Sequence, residues 1–201
     1  MTIHLQIAAL TALAFLAGSV GLATDSVAQR ASTEPYSRLI VSATAGWDLG
    51  QGRFQDHWTT GVTPGAHLRV PARIGDLEFG VGVARNCFQA GPEADFWSTL
   101  LQFGWGHSLE LMDRLIVEGT LHAGMYLMMF DQQPIGYARR ESELMLGGSI
   151  GARVPVSRQV RIMVRTGMRR VYTSTPIDIV HVTGGLALVL ETPAWLRPLL
   201  R

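Results

Sequence analysis

The sequence predicts an all-β fold: an eight-stranded antiparallel up-and-down transmembrane β-barrel. Three observations predict it. The 201-residue chain is only 16% charged, against about 25% in soluble domains. Beyond its N-terminal stretch it has no apolar run of 18 residues or more, so it offers no interior transmembrane helix. Its apolar residues instead alternate with small and polar ones in eight segments of roughly ten residues, the length a tilted strand needs to cross a bilayer.

The segments follow in order. Segment one (38–49) sets Leu39, Val41, Ala43, Ala45, Trp47 and Leu49 against Ser42, Thr44, Gly46 and Asp48. Segment two (65–72) sets Ala66, Leu68 and Val70 against His67 and Arg69, and segment three (77–87) sets Leu77, Phe79, Val81 and Val83 against Glu78, Gly80, Gly82 and Asn86. Segment four (96–107) alternates Trp97, Thr99, Leu101, Phe103 and Trp105 with Ser98, Leu100, Gln102, Gly104 and Gly106. Segment five (115–130) alternates Val117, Leu121, Ala123, Met125 and Leu127 with Glu118, Thr120, His122, Gly124 and Tyr126. Segments six (143–154), seven (160–172) and eight (179–190) repeat the pattern, with Ser149, Arg153, Arg161, Arg165, Arg169, His181 and Thr183 on their polar parity.

Connections alternate in length. Those after segments two, four and six are short, namely 73–76, 108–114 and 155–159. The others, 50–64, 88–95, 131–142 and 173–178, are mostly longer and more polar. Short turns on one side and longer loops on the other is the arrangement of barrels in a bacterial outer membrane, with both termini in the periplasm.

A soluble barrel would turn its apolar face inward; a membrane barrel inverts that. The polar face carries Gly46, Gly80, Gly82, Gly104, Gly106, Gly124, Gly147, Gly151, Gly167 and Gly185. Glycine weakens a strand unless space is short. Space is short inside an eight-stranded barrel and plentiful on a water-facing surface, so the polar face is read as inside and the apolar face as lipid-facing. Trp47, Trp97, Phe130 and Tyr172 near the loop-side ends, and Phe79, Phe103 and Trp105 near the turn-side ends, suit interfacial girdles, although Phe130 falls on the inward parity.

Residues Leu5 to Ala23 are almost wholly apolar or small, and Ser26-Val27-Ala28 offers a secretory cleavage site. Residues 1–28 therefore read as a cleaved signal peptide, with cleavage after Ala23 as the alternative site. An uncleaved anchor is the other reading, since Met1 to His4 contain no Arg or Lys. No Cys follows the apolar run to take a lipid. The remainder divides into a short N-terminal periplasmic segment (29–37), the barrel (38–190) and a C-terminal tail (191–201).

The last strand reads Thr183-Gly184-Gly185-Leu186-Ala187-Leu188-Val189-Leu190, with apolar residues at alternate positions of its end. With the eight segments it resembles the small outer-membrane barrels of the OmpA/OmpX-like broad class, over residues 38–190. In that class an aromatic residue usually closes the chain; here Leu190 holds the place and a tail follows. The resemblance implies partners in membrane lipids and lipopolysaccharide, and the barrel-insertion machinery during assembly.

The inward parity carries Arg69, Arg153, Arg161, Arg165 and Arg169 against Asp48, Glu78 and Glu118. Charges in a narrow lumen must be paired. A tight turn near Arg73 and Ile74 places Arg69 opposite Glu78; the same exercise on 154–160 places Arg153 opposite Arg161, with Glu118 expected between them to relieve the repulsion. Arg69, Glu78, Glu118, Arg153, Arg161 and Arg165 are thus the expected structural charge network, a plug that closes the lumen. A basic lumen passing small anions is the functional alternative.

The remaining chemistry is thin. A net charge of +1 gives no argument for nucleic acid, and all 17 basic residues are Arg. The lone Cys87 excludes an internal disulfide and reads as an inert strand-end thiol, with a reactive thiol as the alternative. No HExxH, GxSxG or phosphate loop is present. No cofactor, metal or catalytic residue is predicted. The adjacent pair His107-Ser108 lies at a periplasmic turn, the wrong end for chemistry on lipid A. Two function classes remain. One is a structural or surface-interaction barrel that meets an extracellular ligand through Phe54, His57 and Trp58 of the first loop and Tyr137, Arg139 and Arg140 of the third. The other is a membrane-embedded lipid-modifying enzyme or small-solute channel.

Overall fold

The computed structural model describes residues 37–51, 53–72, 74–90, 94–111, 114–133 and 138–194. The expected signal peptide, nearly all of segment 29–37, Arg73, Tyr137 and the tail from Trp195 onward lie outside the described residues.

Alternation builds strands, and each predicted segment is one: β1 (Arg38–Gly50), β3 (Val62–Pro71), β4 (Asp76–Phe88), β5 (Phe96–Leu111), β6 (Leu115–Phe130), β7 (Arg140–Pro155), β8 (Val160–Val171) and β9 (Ile177–Glu191). Two further elements sit in the first connection, a five-residue helix α1 (Arg53–His57) and a short strand β2 (Trp58–Thr60). Every strand pairs antiparallel with its neighbours in the order β4-β3-β1-β9-β8-β7-β6-β5, and β4 pairs with β5 to close the ring. The fold is a closed eight-strand barrel. Closure leaves no free sheet edge, the condition for a sheet to sit in lipid.

β2 lies along β4 above β3, pairing Trp58 with Phe88 and Thr60 with Asn86. The β3–β4 ladder starts only at Gly65 and Gly82. Between these pairs four residues, 61–64, oppose three, 83–85, so the strand carries a bulge, with Gly61 N donating to Arg85 O at 2.9 Å. Pro64, which has no N–H to give a ladder, falls in this unlaced stretch. The second barrel strand is therefore longer than alternation over 65–72 implies, because β-branched Val62 and Thr63 continue it against β1.

The β3–β4 turn is tight. Ala72 N donates to Gly75 O at 2.9 Å, and Gly75 has φ of 76°, which favours glycine. The β7–β8 turn is wider. Val156 N and Ser157 N both donate to Val160 O, and Ser157 Oγ accepts from Val160 N at 3.0 Å. Pro155 therefore faces Arg161, and Arg153 faces Met163. This corrects the expected Arg153–Arg161 pairing by two residues, since the serine-capped turn is centred on Arg158, one residue later than the 155–159 connection implies.

The apolar parity points out. Val41, Phe79, Leu101, Phe103, Met125, Leu146 and Leu186 are exposed, and Leu121 retains 68% of its surface. Such a continuous apolar surface suits lipid and not water. Ser42, Thr44, Glu78, Ser98, Thr120, Ser149, Arg165 and His181 are buried on the other side. Crowding there accounts for the glycines. A Cβ at Gly80 would lie 2.7 Å from His67 Nδ1, and one at Gly104 2.8 Å from Thr120 Cγ2.

Candidate functional site: the filled barrel interior

The turn-side half of the lumen is polar and ion-paired. Glu78 rises from β4 opposite Arg69 of β3, as the tight turn requires. Its Oε2 accepts from Arg69 Nη2 at 2.6 Å and Arg165 Nη2 at 2.9 Å, and its Oε1 accepts from Arg165 Nη1 at 2.6 Å. His67 Nδ1 lies 3.4 Å from the same carboxylate. Glu118 of β6 pairs through Oε2 with Arg69 Nη1 and Arg153 Nε, both at 2.8 Å, and through Oε1 with Arg165 Nη2 at 2.8 Å. Two carboxylates thus hold three guanidiniums drawn from β3, β7 and β8. The planar guanidinium fork suits such shared, multidentate contacts better than an ammonium would.

Hydroxyls finish the network. Ser108 Oγ accepts from Arg69 Nη1 at 3.2 Å and Arg153 Nη2 at 3.0 Å, and donates to Asp76. Thr120 Oγ1 accepts from Arg69 Nη2 at 2.8 Å. Farther up, Arg169 pairs with Asp48 across the lumen beside the rings of His122 and His181, whose centroids are 6.2 Å apart. Among the described residues, four interior arginines (Arg69, Arg153, Arg165, Arg169) meet four carboxylates (Asp48, Asp76, Glu78, Glu118).

Of the six residues expected in the network, Arg69, Glu78, Glu118, Arg153 and Arg165 come together. Arg161 does not: it sits half-buried a step lower, opposite Pro155, and the ion pairs of Glu118 go to the other three arginines. Asp76 and Ser108 are members that charge counting missed. Asp76 lay in the predicted turn and Ser108 beyond the predicted end of segment four; β5 and β6 in fact run on to a Leu111–Leu115 pair. Ser108 points inward while His107 points outward, its ring packed edge-on against Trp105. Neighbouring strand residues face opposite sides, so these two cannot act as a nucleophile–base pair.

The loop-side half of the lumen is mostly apolar, with one buried hydrogen bond from Asn86 Nδ2 to Ser98 Oγ at 3.0 Å and the Arg169–Asp48 pair at its base. Phe96, Leu100, Tyr126, Met128, Met145, Val171 and Ile179 line it, and Phe54 of α1 drops into the mouth, 5% exposed. Trp58 stacks on Phe54 at 5.4 Å and 23°, and Phe96 meets Phe54 edge-on at 6.5 Å. Phe130 and Ile177 pack against the cluster. Three expectations are corrected here. Phe54 and Trp58 are not free surface contacts of the first loop, because a side-chain-free Gly50 lets the Phe54 ring fold back over the lumen. Phe130 serves the inner cluster and not a lipid-facing girdle. His57, Arg139 and Arg140 remain exposed as expected of loop residues. Trp47, Trp97 and Tyr172 face outward.

Outside the mouth, Arg85 bridges Asp95 at 3.1 Å and Asp131, with its guanidinium 5.5 Å from the centre of the Trp97 ring. Hydrogen bonding from Arg85 holds the exposed Asp131 carboxyl below its ordinary range. Cys87 is exposed on the outer wall. Among the described residues no group of three or more His, Cys, Asp or Glu is placed to hold a metal.

A closed eight-strand ring, an apolar outer wall and a salt-bridged lumen define a small membrane β-barrel. Solved structures share this fold, which is that of small eight-stranded outer-membrane barrels. Neisserial surface protein A is 15% identical with a TM-score of 0.58 over 75% of this chain and 96% of its own. The outer-membrane protein AlkL is 14% identical with a TM-score of 0.51 over 86% of this chain and 99% of its own. No protein-family model and no curated protein sequence matches the chain.

Proposed function

We propose that this protein is an outer-membrane barrel whose lumen is closed, and that it serves as a structural or surface-interaction scaffold presenting its loops outside the cell. The observation that carries this reading is the Glu78–Glu118–arginine network. It fills the turn-side half of a ring that has little spare interior, and each of its ions has a partner of opposite charge, the three arginines being matched by Glu78, Glu118 and Asp76. Export by the 1–28 leader, contact with lipopolysaccharide and recognition of the β9 strand by the insertion machinery belong to the same proposal. The outward aromatic residues Trp47 and Trp97 on the loop side and Trp105 on the turn side suit two membrane interfaces about one bilayer apart.

Three measurements test it. Gel migration before and after boiling should show a heat-modifiable band in the outer-membrane fraction. Planar bilayers should show no stepwise conductance, and lipid A from a deletion strain should match the parent by mass. Steady single-channel steps would overturn the closed lumen, and a lipid A mass change restored by the wild-type gene would overturn the scaffold reading in favour of an enzyme.

A further inference from the structure

The loop-side half of the lumen differs in kind from the rest of the interior. Six of its wall residues are hydrocarbon or thioether side chains on strands: Phe96, Leu100, Met128, Met145, Val171 and Ile179. What fills their centre comes from outside the barrel wall, the single ring of Phe54 on α1. The other described side chains of α1, those of Gln55, Asp56 and His57, are exposed. Among its described side chains, Phe54 is the one that joins the helix to the barrel core.

Its attachment to the wall is also short. β2 makes three pairs with β4, and beyond it the ladder to β4 lapses across 61–64 apart from the Gly61 N–Arg85 O bond, while 62–64 stay paired with β1. Packing is loose beside this stretch. A Cβ at Gly82 would meet its nearest neighbour, Pro64 O, at 3.7 Å, an ordinary contact, whereas Gly80, Gly104 and Gly167 have no such room. Other bonds of α1–β2 run to the neighbouring loop, Gln89 N to His57 O at 2.7 Å, Gln89 Nε2 to Gln55 O at 3.0 Å and Trp58 Nε1 to Ala94 O at 3.1 Å, and to β4, Thr60 Oγ1 to Asn86 Oδ1 at 2.9 Å and Thr59 Oγ1 to Cys87 O at 3.4 Å.

We propose that the seat of Phe54 is a binding site for a small apolar aromatic molecule arriving from the loop side, with α1–β2 as its lid and Gly61, between β2 and β3, as the hinge. The seat already accepts a phenyl ring, stacked by Trp58, met edge-on by Phe96 and walled by the Met128 and Met145 side chains, which are flexible and favour aromatic partners. The ligand displaces Phe54 and takes its contacts. Beneath the seat the Arg–Glu network stays shut, so the site is a blind receptor pocket and not the entrance of a pore. It adds a ligand class to the scaffold reading without depending on it.

The test uses full-length protein in lipid nanodiscs with 13C-methyl-labelled methionines, titrated with toluene. Met128 and Met145 line the seat, Met163 lies inside nearer the turn side, and Met125 and Met168 face lipid. Met128 and Met145 should shift with saturation, Met163 should stay put, and Met125 and Met168 should drift linearly with toluene dissolved in the lipid. Phe54→Ala removes the competing ring and should lower the half-saturating concentration about tenfold, as expected when a mostly closed site is freed. Thr59 pairs with Cys87 across β2–β4, so Thr59→Cys should form a reversible disulfide that fastens the lid. Saturable shifts should vanish when it is oxidised and return on reduction. Met128 and Met145 that stay still, or that only drift like Met125, would overturn the proposal; so would saturable binding unchanged by the oxidised staple.

Discussion

The two halves of the lumen are closed by opposite means. On the turn side, closure is built into the wall: Arg69, Glu78, Glu118, Arg153 and Arg165 each belong to a barrel strand, and apart from the hairpin pair Arg69–Glu78 their contacts tie strands distant in the chain. On the loop side the wall supplies a mostly apolar socket, and a five-residue helix in a connection supplies the stopper. The ionic half holds the barrel together and cannot be opened without breaking it. The apolar half is closed by a part that can leave while all eight strands stay paired.

The largest test of this contrast is charge removal in the ionic half. Glu78→Gln or Glu118→Gln leaves buried guanidiniums short of a partner, and each should lower the unfolding free energy in vesicles by about 3–5 kcal/mol, with a matching fall in the temperature of heat modification. Steric filling comes next. Gly104→Val drives methyl groups onto Thr120 and should destabilise by about 1–3 kcal/mol in the same assay. The stopper should matter less. Phe54→Ala should change global unfolding by less than about 1 kcal/mol, because a segment that opens locally adds little to the whole transition; Met128 and Met145 methyl shifts should nonetheless move. A global loss as large as that of Glu78→Gln would erase the distinction between the halves.

The smallest effect lies outside the mouth. The Asp131 carboxyl titrates below its ordinary range because Arg85 hydrogen-bonds its charged form. A depressed carboxylate contributes stability above its unfolded pKa, and that contribution is lost as pH falls through the folded value. Acidification should therefore release Arg85 locally, seen as an Asp131 carboxyl-carbon titration with its midpoint below that of free aspartate, a displacement that should shrink in Arg85→Gln. The barrel strands should stay folded through that titration.

Much of the architecture was legible because strand geometry is local. Side chains alternate by covalent geometry, so the parity that put Leu121 outside and Thr120 inside could be read directly. Glycine on the polar parity identified the crowded side, since Gly80 and Gly104 have no room for a Cβ. Register across a turn was legible only where the turn centre was. The β3–β4 turn centred on Arg73 and Ile74 set Arg69 against Glu78, while the β7–β8 turn, centred one residue later than expected, moved Arg161 away from Arg153. Ser108 was missed because nothing in the sequence announced that β5 would outrun its neighbour β4.

By itself, then, the amino-acid order determined the eight crossings, their faces and the identity of most interior charges, because each depends on a period of two along one strand. Only the tertiary structure decided which carboxylate serves which arginine, and that Phe54 leaves its polar loop to close the mouth. Those outcomes depend on ring closure, which brings β3, β4, β6 and β8 around one lumen and turns the loop-side ends of β5 through β9 into a socket that no single segment contains.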